Sequence, residues 1–287
     1  MSTKAELRRV FSDAKTIDSP ALNRAGVQPF RAVVARALYN LRGRRVADPR
    51  LVELSRTGII TIEDFLAPAE FSALVRETDD YMATHTPAVD ELQGTTEVRH
   101  FYLYPVDAQR YPTIARRCDD PEVIDLVAAA ERRGLGDGQY SRVLEHLRLG
   151  DSSEPDPMTR LHVDTLFHTH KVWLFLEDVG PENAPFVYVP GSHRLDRERL
   201  RFDYLDSNAA NMRSRLASDE EVARRGLVPR AVTCAANTLV IADTCGYHAR
   251  SIGGAGATRT ALHLSFRANP FALRTGNRRS RVATPSG

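Results

Sequence analysis

The second half of the chain is a succession of short β-favouring runs separated by turns, and this pattern restricts the fold more than any other feature of the sequence. Beginning near Gln139, seven runs rich in branched and aromatic residues follow one another. They predict strands over residues 140–149, 160–165, 170–179, 185–189, 227–234, 238–244 and 258–268. Seven short strands in sequence indicate an all-β sandwich or barrel.

The first part of the chain is predicted to be mainly helical. Apolar residues recur at helical spacing over residues 30–41, and residues 5–14 also favour a helix. A helix with proline in its first turn is predicted to begin near Pro68, and another is predicted to follow Asp120, whose side chain suits an N-cap. A short strand is predicted before each of these two helices, over residues 58–62 and 97–104.

These patterns divide the chain into three parts. Residues 1–55 form a predicted N-terminal helical extension, residues 56–276 form one β-rich domain, and the tail over residues 277–287 is predicted to be disordered. A heavily charged segment at about residues 195–226 interrupts the strands. This segment is interpreted either as a solvated surface helix or as a lid or partner surface that selects the substrate.

Composition and charge exclude several classes of function. A chain of 287 residues with 42% hydrophobic residues is long enough to bury one large core. Its formal charge of +2 gives no reason to expect a nucleic-acid partner. Three cysteines without zinc-ligand spacing, Cys118, Cys234 and Cys245, favour reduced thiols in a cytoplasmic protein. The N-terminal residues include acidic side chains and no long apolar run, so we expect neither a secretory signal nor a membrane span.

Two histidines and one aspartate have the spacing of a metal site. His162 and Asp164 are two residues apart in a predicted strand, so both side chains point to the same face. His248 follows a strongly β-like run in a distant part of the sequence. Two imidazoles and one carboxylate on one face of an octahedral ion form the facial triad of non-haem Fe(II) oxygenases, which leaves three positions open. We therefore predict His162, Asp164 and His248 as metal ligands.

An arginine beyond this group is a candidate anchor for a carboxylate. Arg259 lies eleven residues after His248, past a glycine-rich turn, and it opens an alternating strand. The planar guanidinium of arginine binds a carboxylate through two parallel hydrogen bonds. The sequence therefore predicts an anion-binding position at Arg259 next to the metal site.

These motifs occur together in one known family. The string at residues 58–77, the His-Val-Asp triplet, the run FVYVPGSHR at 186–194 and the spacing from His248 to Arg259 all follow its pattern. The chain therefore resembles the phytanoyl-CoA dioxygenase-like family of Fe(II)- and 2-oxoglutarate-dependent oxygenases over most of its length after about Arg56. The chain departs from the family in having Asn183-Ala184-Pro185 where Asn-Gly is usual, which affects a turn and not the metal.

The resemblance implies a fold and a set of cofactor contacts. The implied fold is a double-stranded β-helix, also called a jelly roll or cupin-like fold, with flanking helices. Fe(II) would be held by the three predicted ligands, Arg259 would bind the 5-carboxylate of 2-oxoglutarate, and Trp173 would lie beside this co-substrate. Some members use a serine two residues after the distal histidine to hold 2-oxoglutarate; here that position is Arg250 and Ser251 is next, so Ser251 is the predicted contact.

One further departure concerns a lysine that certain members place on an early strand to bind the same acid. The sequence has only Lys4, Lys15 and Lys171, and none was expected to fill this role. A tyrosine such as Tyr102 or Tyr104 was the expected assistant to Arg259.

The implied activity is oxidation of a small organic molecule by O2 and 2-oxoglutarate, with hydroxylation of an unactivated C–H bond as the default outcome and succinate and CO2 released. Because Asp164 is an intact carboxylate where related halogenases have a small residue, we expect no halogenation. Two other classes stay open on the residues: a cupin-type isomerase or hydrolase that works with another metal and without O2, and a non-catalytic binding module of the same fold.

The remaining histidines, and several arginines, have less specific interpretations. His168 and His170 form a rival pair without an acid in the same register, His193 is interpreted as a turn residue, and His263 as a core residue. Trp173 suits both a core position and a co-substrate wall. Cys245 is interpreted as a small buried residue. An anionic substrate would have three candidate arginines, although each also suits a surface or structural role: Arg148, Arg160 and Arg250.

Overall fold

The computed structural model describes residues 10–12, 17–43, 48–135, 140–151, 156–209 and 215–272. The predicted tail over 277–287 and most of the predicted helix over 5–14 lie outside these residues. The helices are α1 (Pro20–Arg24), α2 (Val27–Leu41), α3 (Pro49–Thr57), α4 (Pro68–Thr84), α5 (Pro112–Cys118), α6 (Pro121–Glu131), α7 (Arg197–Asn208) and α8 (Asp219–Arg224). No helix in the described part of the chain is both long enough and apolar enough to cross a membrane.

The strands form two antiparallel sheets. They are β1 (Ile59–Ile62), β2 (Val89–Gln93), β3 (Thr96–Tyr102), β4 (Tyr140–Arg148), β5 (His170–Phe175), β6 (Phe186–Tyr188), β7 (Arg230–Val232), β8 (Leu239–Asp243), β9 (His248–Arg250) and β10 (Thr258–Phe266). The larger sheet has the order β1-β8-β5-β10-β4-β3-β2, and the smaller has the order β7-β6-β9. His162 extends the smaller sheet through bridges to His248 on one side and Leu216 on the other. The predicted double-stranded β-helix is confirmed.

Each face of the larger sheet has its own apolar core. Side chains alternate between the two faces of a strand, and on β5 this alternation separates Trp173 from Val172 and Leu174. Trp173 packs between the sheets with Phe186 and Tyr188 of the smaller sheet. Val172 and Leu174 face the opposite way, into a larger core that the helices cover. The barrel interior and the helix-covered outer face are therefore separate environments.

Most predicted elements are confirmed, and the exceptions are short or irregular. Residues 160–165 form a single bridge at His162 and not the regular strand that was predicted. Five elements fall outside the predicted ranges, namely α1, α3, α5, β2 and β9. Strand β9 has only three residues, so it presents too little alternation to be read from sequence. Asp120 caps α6 as predicted, because its side chain accepts hydrogen bonds from the backbone N–H groups of Glu122 and Val123.

The charged segment at 195–226 packs against the barrel. Its helix α7 buries Arg199, whose guanidinium donates to Asp203 Oδ1 at 3.0 Å and to Cys245 O at 2.6 Å. Phe202 of the same helix packs on Val163, the residue between the two predicted ligands. The interpretation as a freely solvated helix is therefore wrong for this face of α7, because long-range partners bury charges that look surface-exposed in sequence. The predicted lid function stays a prediction.

The Pro-Gly-Ser-His turn at 190–193 joins α3 to the segment that precedes β9. Gly191, which has a φ of 85°, donates its N–H to Thr57 O at 2.7 Å. Ser192 Oγ accepts the N–H of Tyr247 at 2.7 Å. A Cβ atom at Gly246 would lie 2.2 Å from the hydroxyl oxygen of Tyr188, so this segment accepts no larger residue without a shift. These contacts therefore fix the position of the backbone that leads to His248.

Gly58→Ala is expected to lower the free energy of unfolding by about 3 kcal/mol, from positive-φ strain and overpacking together. Gly58 ends α3 with a φ of 85°, and a Cβ there would lie 2.2 Å from the Tyr188 hydroxyl oxygen and 2.6 Å from His193 Nδ1. Denaturant unfolding measures the loss. Gly226→Ala is the matched control, since Gly226 has a φ of 63° and no atom within 4 Å of an added Cβ. It should cost only about 1 kcal/mol, and equal losses would contradict the packing argument.

Candidate metal centre

The three predicted metal ligands meet beside the smaller sheet. His162 and His248 pair through two backbone hydrogen bonds of 2.9 Å, and Asp164 donates its N–H to Thr244 O at 2.9 Å. One ligand atom from each of His162, Asp164 and His248 lies within 4.8 Å of the other two. His248 Nε2 is 3.9 Å from Asp164 Oδ2. Ligand atoms around one transition-metal ion are about 3–4 Å apart, so this group has the spacing that one ion needs.

Backbone carbonyl groups set the orientation of both imidazoles. His162 Nδ1 lies 2.8 Å from Arg160 O, and His248 Nδ1 lies 2.9 Å from Gly246 O. A carbonyl oxygen only accepts, so Nδ1 carries the proton in each ring and Nε2 keeps its lone pair. Burial lowers the pKa of His248 from 6.5 to about 3, which keeps this ring neutral. Both histidines therefore present the form that binds a metal ion.

Lys171 was not predicted as a site residue, yet its side chain reaches the metal centre. Lys171 Nζ lies 2.7 Å from Asp164 Oδ2. Lys171 is two residues before Trp173 on β5, so both point into the barrel. That shared alternation with Trp173 was the only sequence signal for its position. The Asp164 oxygen that lies 3.9 Å from His248 Nε2 is therefore the same atom that lies beside the Lys171 ammonium group.

Arg259 lies in the barrel interior on β10 and is almost completely buried. Its guanidinium donates to Ala184 O and lies 3.6 Å from Glu145 Oε1. Burial lowers the pKa of Arg259. Burial alone would raise the pKa of Glu145, but the hydrogen bond from His100 and the charges of His263 and Arg259 hold it well below its usual range. Arg259 Nε is buried without an acceptor, so it has a donor to offer to an anion.

Trp173 lines the interior between the metal ligands and the arginine. Its ring stacks on His263 at a centroid distance of 5.1 Å and packs on Phe186 at 4.7 Å. Phe186 in turn lies 5.7 Å from the ring of His248. His263 was predicted to be a core residue. It stacks on Trp173, and both rings form part of the wall of the barrel interior. Aromatic rings around a metal site exclude water from it.

Ser251 and Arg250 occupy different positions at the end of β9. Arg250 is two residues after His248, so both side chains lie on one face of the strand. Arg250 is buried against Asp156 Oδ2 and Gln93 Oε1, so of the two interpretations, a surface or a structural charge, the structural one applies. The Ser251 hydroxyl donates to Ile252 O at 3.0 Å. The role of Ser251 stays a prediction, and Arg250 is the residue that shares the face of the metal ligand.

The other candidate side chains are exposed. Tyr102 and Tyr104 are 52% and 73% exposed, and Tyr104 covers the guanidinium of Arg142. His100 is the β3 residue that reaches Glu145, at 3.3 Å. Two more arginines are exposed, Arg148 and Arg160.

His168 and His170 lie on the outer face of the larger sheet, and each has a carboxylate partner. His168 Nδ1 contacts Asp243 Oδ2, and His170 Nδ1 lies 2.7 Å from Glu131 Oε1. The sequence around this pair offers no acid in the same register, and both carboxylates come from elements distant in sequence. One ring nitrogen of His168, an oxygen of Asp243 and Sγ of Cys245 also lie within 4.8 Å of one another.

His193 is expected to make the protein less stable in acid. Its Nε2 lies 3.1 Å from Ser55 O, and burial lowers its pKa from 6.5 to about 4. Between these pH values the unfolded ring binds a proton that the folded ring does not, so the unfolding free energy should fall by up to about 3 kcal/mol as pH drops. Chemical denaturation across this range measures the slope. His193→Gln should reduce this slope, to which His248 and His263 also contribute, and the exposed His85→Gln should leave it unchanged. An unchanged slope in His193→Gln would contradict the assignment.

The fold and these contacts together define a class of protein. A jelly roll that brings two neutral histidines and one aspartate together beside its interior, with a buried arginine on the opposite sheet, has the arrangement of a non-haem iron oxygenase. A family comparison agrees with this class. The model for phytanoyl-CoA dioxygenase (PhyH) matches residues 54–229, which is more than half of the chain. The chain belongs to this family, and with it to the 2-oxoglutarate-dependent non-haem iron enzymes.

Solved structures share the fold at low sequence identity. The epimerase SnoN from nogalamycin biosynthesis, in complex with Fe3+, alpha ketoglutarate and nogalamycin RO, has a TM-score of 0.55 and 16% identity, over 77% of this chain and 85% of that chain. EctD from S. alaskensis in its apoform has a TM-score of 0.52 and 20% identity, over 80% of this chain and 82% of that chain. A comparison with curated proteins finds no match. At these identities the two structures support the fold, and the residue roles depend on the contacts described above.

Proposed function

We propose that this protein uses Fe(II), 2-oxoglutarate and O2 to hydroxylate an unactivated C–H bond of a small organic molecule. The observation that carries the proposal is the convergence of His162, Asp164 and His248, with Nδ1 of each histidine donating to a backbone carbonyl group. Two neutral nitrogens and one carboxylate match the donor set of the 2-His-1-carboxylate site and leave positions for co-substrate and O2.

Arg259 is the residue that would bind the 5-carboxylate of 2-oxoglutarate. Its Nε is a buried donor without an acceptor, which a carboxylate would satisfy. Glu145 lies 3.6 Å away and balances part of its charge, so the arginine is held in place before any ligand arrives. Trp173 lies in the same interior and fits a wall of the co-substrate pocket, as the family resemblance implied.

When bound, the ferrous ion and 2-oxoglutarate supply the oxidising chemistry, with succinate and CO2 as the products of the co-substrate. The chain supplies position and a dry environment. Lys171 lies against one oxygen of Asp164 and would favour metal binding through a single oxygen. Phe186 and Trp173 keep water from the reacting C–H bond, and the substrate enters beside the metal without binding to it.

An anaerobic titration with Fe(II) and 2-oxoglutarate tests the proposal. We expect a weak visible charge-transfer band in the wild type, and we expect it to be lost in His162→Ala. His85→Ala is the matched control, since His85 is exposed, and it should keep the band. No band in the wild type, or an equal band in His162→Ala, would overturn the assignment.

A second measurement separates the proposal from the open alternatives. Candidate compounds are screened for substrate-stimulated succinate release, and the product is analysed for an added oxygen atom. A cupin-type isomerase or hydrolase would turn over with Zn(II) or Mn(II) in the absence of O2 and would release no succinate. A non-catalytic module would give neither result.

A further inference from the structure

A second cavity lies on the outer face of the larger sheet. It has a volume of about 580 Å³ and opens where the ends of β5 and β8 meet α2, α3 and α6. Pockets for small organic ligands have volumes of roughly 300–1,000 Å³. His170 of β5 lines this cavity, whereas Trp173 of the same strand faces the barrel interior. The sheet therefore separates this cavity from the metal centre.

The polar end of the cavity contains His168, whose second ring nitrogen has no hydrogen-bond partner among the described residues. Asp243 Oδ1 accepts the N–H groups of Thr169 and Cys245, each at 3.2 Å, and Oδ2 contacts His168 Nδ1. Burial lowers the pKa of His168, so the ring is neutral. Because Nδ1 donates to the carboxylate, Nε2 carries no proton and can only accept a hydrogen bond. It is buried and has no partner in the described part of the chain. A ligand with an O–H or N–H group would satisfy it.

Two arginines that form no ion pair with a described residue line the same cavity. The guanidinium carbons of Arg36 and Arg132 lie 5.8 Å and 4.1 Å from the centre of the Tyr39 ring. Arg36 donates to His193 O and Arg132 to Tyr39 O, which are neutral carbonyl groups, and neither forms an ion pair with a described residue. Of the nearby carboxylates, Asp243 hydrogen-bonds to the neutral His168 and keeps a single negative charge, which the two arginines outnumber, and Glu131 pairs with His170 and Arg133. The positive charge of the two arginines therefore favours an anion.

The opposite wall is apolar. Leu51 and Leu54 of α3 and Ala129 and Ala130 of α6 face the cavity. A ligand that fills both the polar and the apolar part of the cavity must therefore have an anionic group and an apolar body.

We propose that this cavity is a second ligand site, separate from the metal centre, that binds a small organic carboxylate with an apolar body and a hydroxyl group. Arg36 and Arg132 bind the carboxylate, Leu54 and Ala129 contact the body, and His168 Nε2 accepts the hydroxyl proton in a hydrogen bond.

The cluster of His168, Asp243 and Cys245 does not favour a metal cation. Both oxygens of Asp243 already accept hydrogen bonds from His168 and the backbone. Burial raises the pKa of the Cys245 thiol well above its usual range, and a metal ligand must be a thiolate. The nearby Arg36 adds positive charge, which repels a cation.

Three probes test the ligand chemistry by calorimetry on the full chain loaded anaerobically with Fe(II) and 2-oxoglutarate, so that the barrel is filled. The probe 4-hydroxyphenylacetate has the carboxylate, the ring and the hydroxyl group. Phenylacetate lacks the hydroxyl group and should bind about 5-fold more weakly. The alcohol 2-(4-hydroxyphenyl)ethanol lacks the carboxylate and should bind at least about 10-fold more weakly. Equal affinities, or no binding by any probe, would overturn the proposal.

Two pairs of variants locate the binding. Arg132→Gln should weaken 4-hydroxyphenylacetate binding at least about 10-fold, whereas Arg76→Gln, an exposed arginine on α4, should not change it. Ala129→Phe fills the cavity and should abolish binding, whereas Ala128→Phe, on the same helix but outside the cavity wall, should retain it. Thermal unfolding confirms that each variant folds. Wild-type affinity in folded Arg132→Gln, or in folded Ala129→Phe, would place the probe elsewhere and overturn the proposal.

Discussion

Asp164→Asn is expected to reduce metal-dependent turnover at least about 100-fold, the upper end of what changes around metal ligands cost. The substitution keeps the size of the side chain but replaces a carboxylate ligand by a neutral amide, and it leaves Lys171 without its partner 2.7 Å away. The metal site would then carry two neutral histidines and a nearby cation. Fe(II) affinity by anaerobic titration and succinate release with a substrate both measure the effect.

Asp125→Asn is the matched control, because Asp125 is an exposed residue on α6. It should keep wild-type affinity and turnover. Asp164→Gly removes the ligand completely and should lose hydroxylation as well. Full hydroxylation by Asp164→Gly in a folded protein would disprove the assignment of Asp164 as a metal ligand.

Arg259→Gln is expected to raise the KM for 2-oxoglutarate at least about 100-fold, because two charge-assisted hydrogen bonds to a carboxylate contribute about 3 kcal/mol or more. The turnover rate at saturating 2-oxoglutarate should fall much less, since the arginine binds the end of the co-substrate that does not react. Initial rates over a range of 2-oxoglutarate concentrations separate the two constants.

Two further variants show whether the effect of Arg259→Gln comes from lost co-substrate binding or from misfolding. Arg259→Lys keeps a positive charge opposite Glu145 and loses only the fork geometry, so KM should rise by about 10-fold. Arg148→Gln, an exposed residue on the neighbouring strand β4, should leave KM unchanged. If Arg259→Gln folds and keeps the wild-type KM, then Arg259 does not bind the co-substrate.

The grouping of His162, Asp164 and His248 could be predicted from sequence because it depends on local rules. The two-residue spacing of His162 and Asp164 places both side chains on one face wherever the backbone is extended. The position of His248 after a strong strand run, and of Arg259 after the next turn, follows from the order of strands in a jelly roll. The sheets confirm that order.

The residues that sequence did not reveal are all fixed by long-range strand pairing. Lys171 reaches Asp164 because β5 lies between β8 and β10 in the larger sheet. His168 meets Asp243, 75 positions away in sequence, at the end of β8. Glu145 faces Arg259 only because β4 and β10 pair in the observed register. Periodicity gives the face that a residue occupies, but it does not give the neighbour across the sheet.

The contact between the turn at 190–193 and the segment before β9 has an evolutionary consequence. Gly246 admits no side chain beside Tyr188, and Ser192 satisfies the buried N–H of Tyr247. A change at Gly246 or Ser192 would therefore displace the chain that carries His248. We expect relatives to substitute these positions in concert or not at all, so the two strings should covary when homologous sequences are aligned.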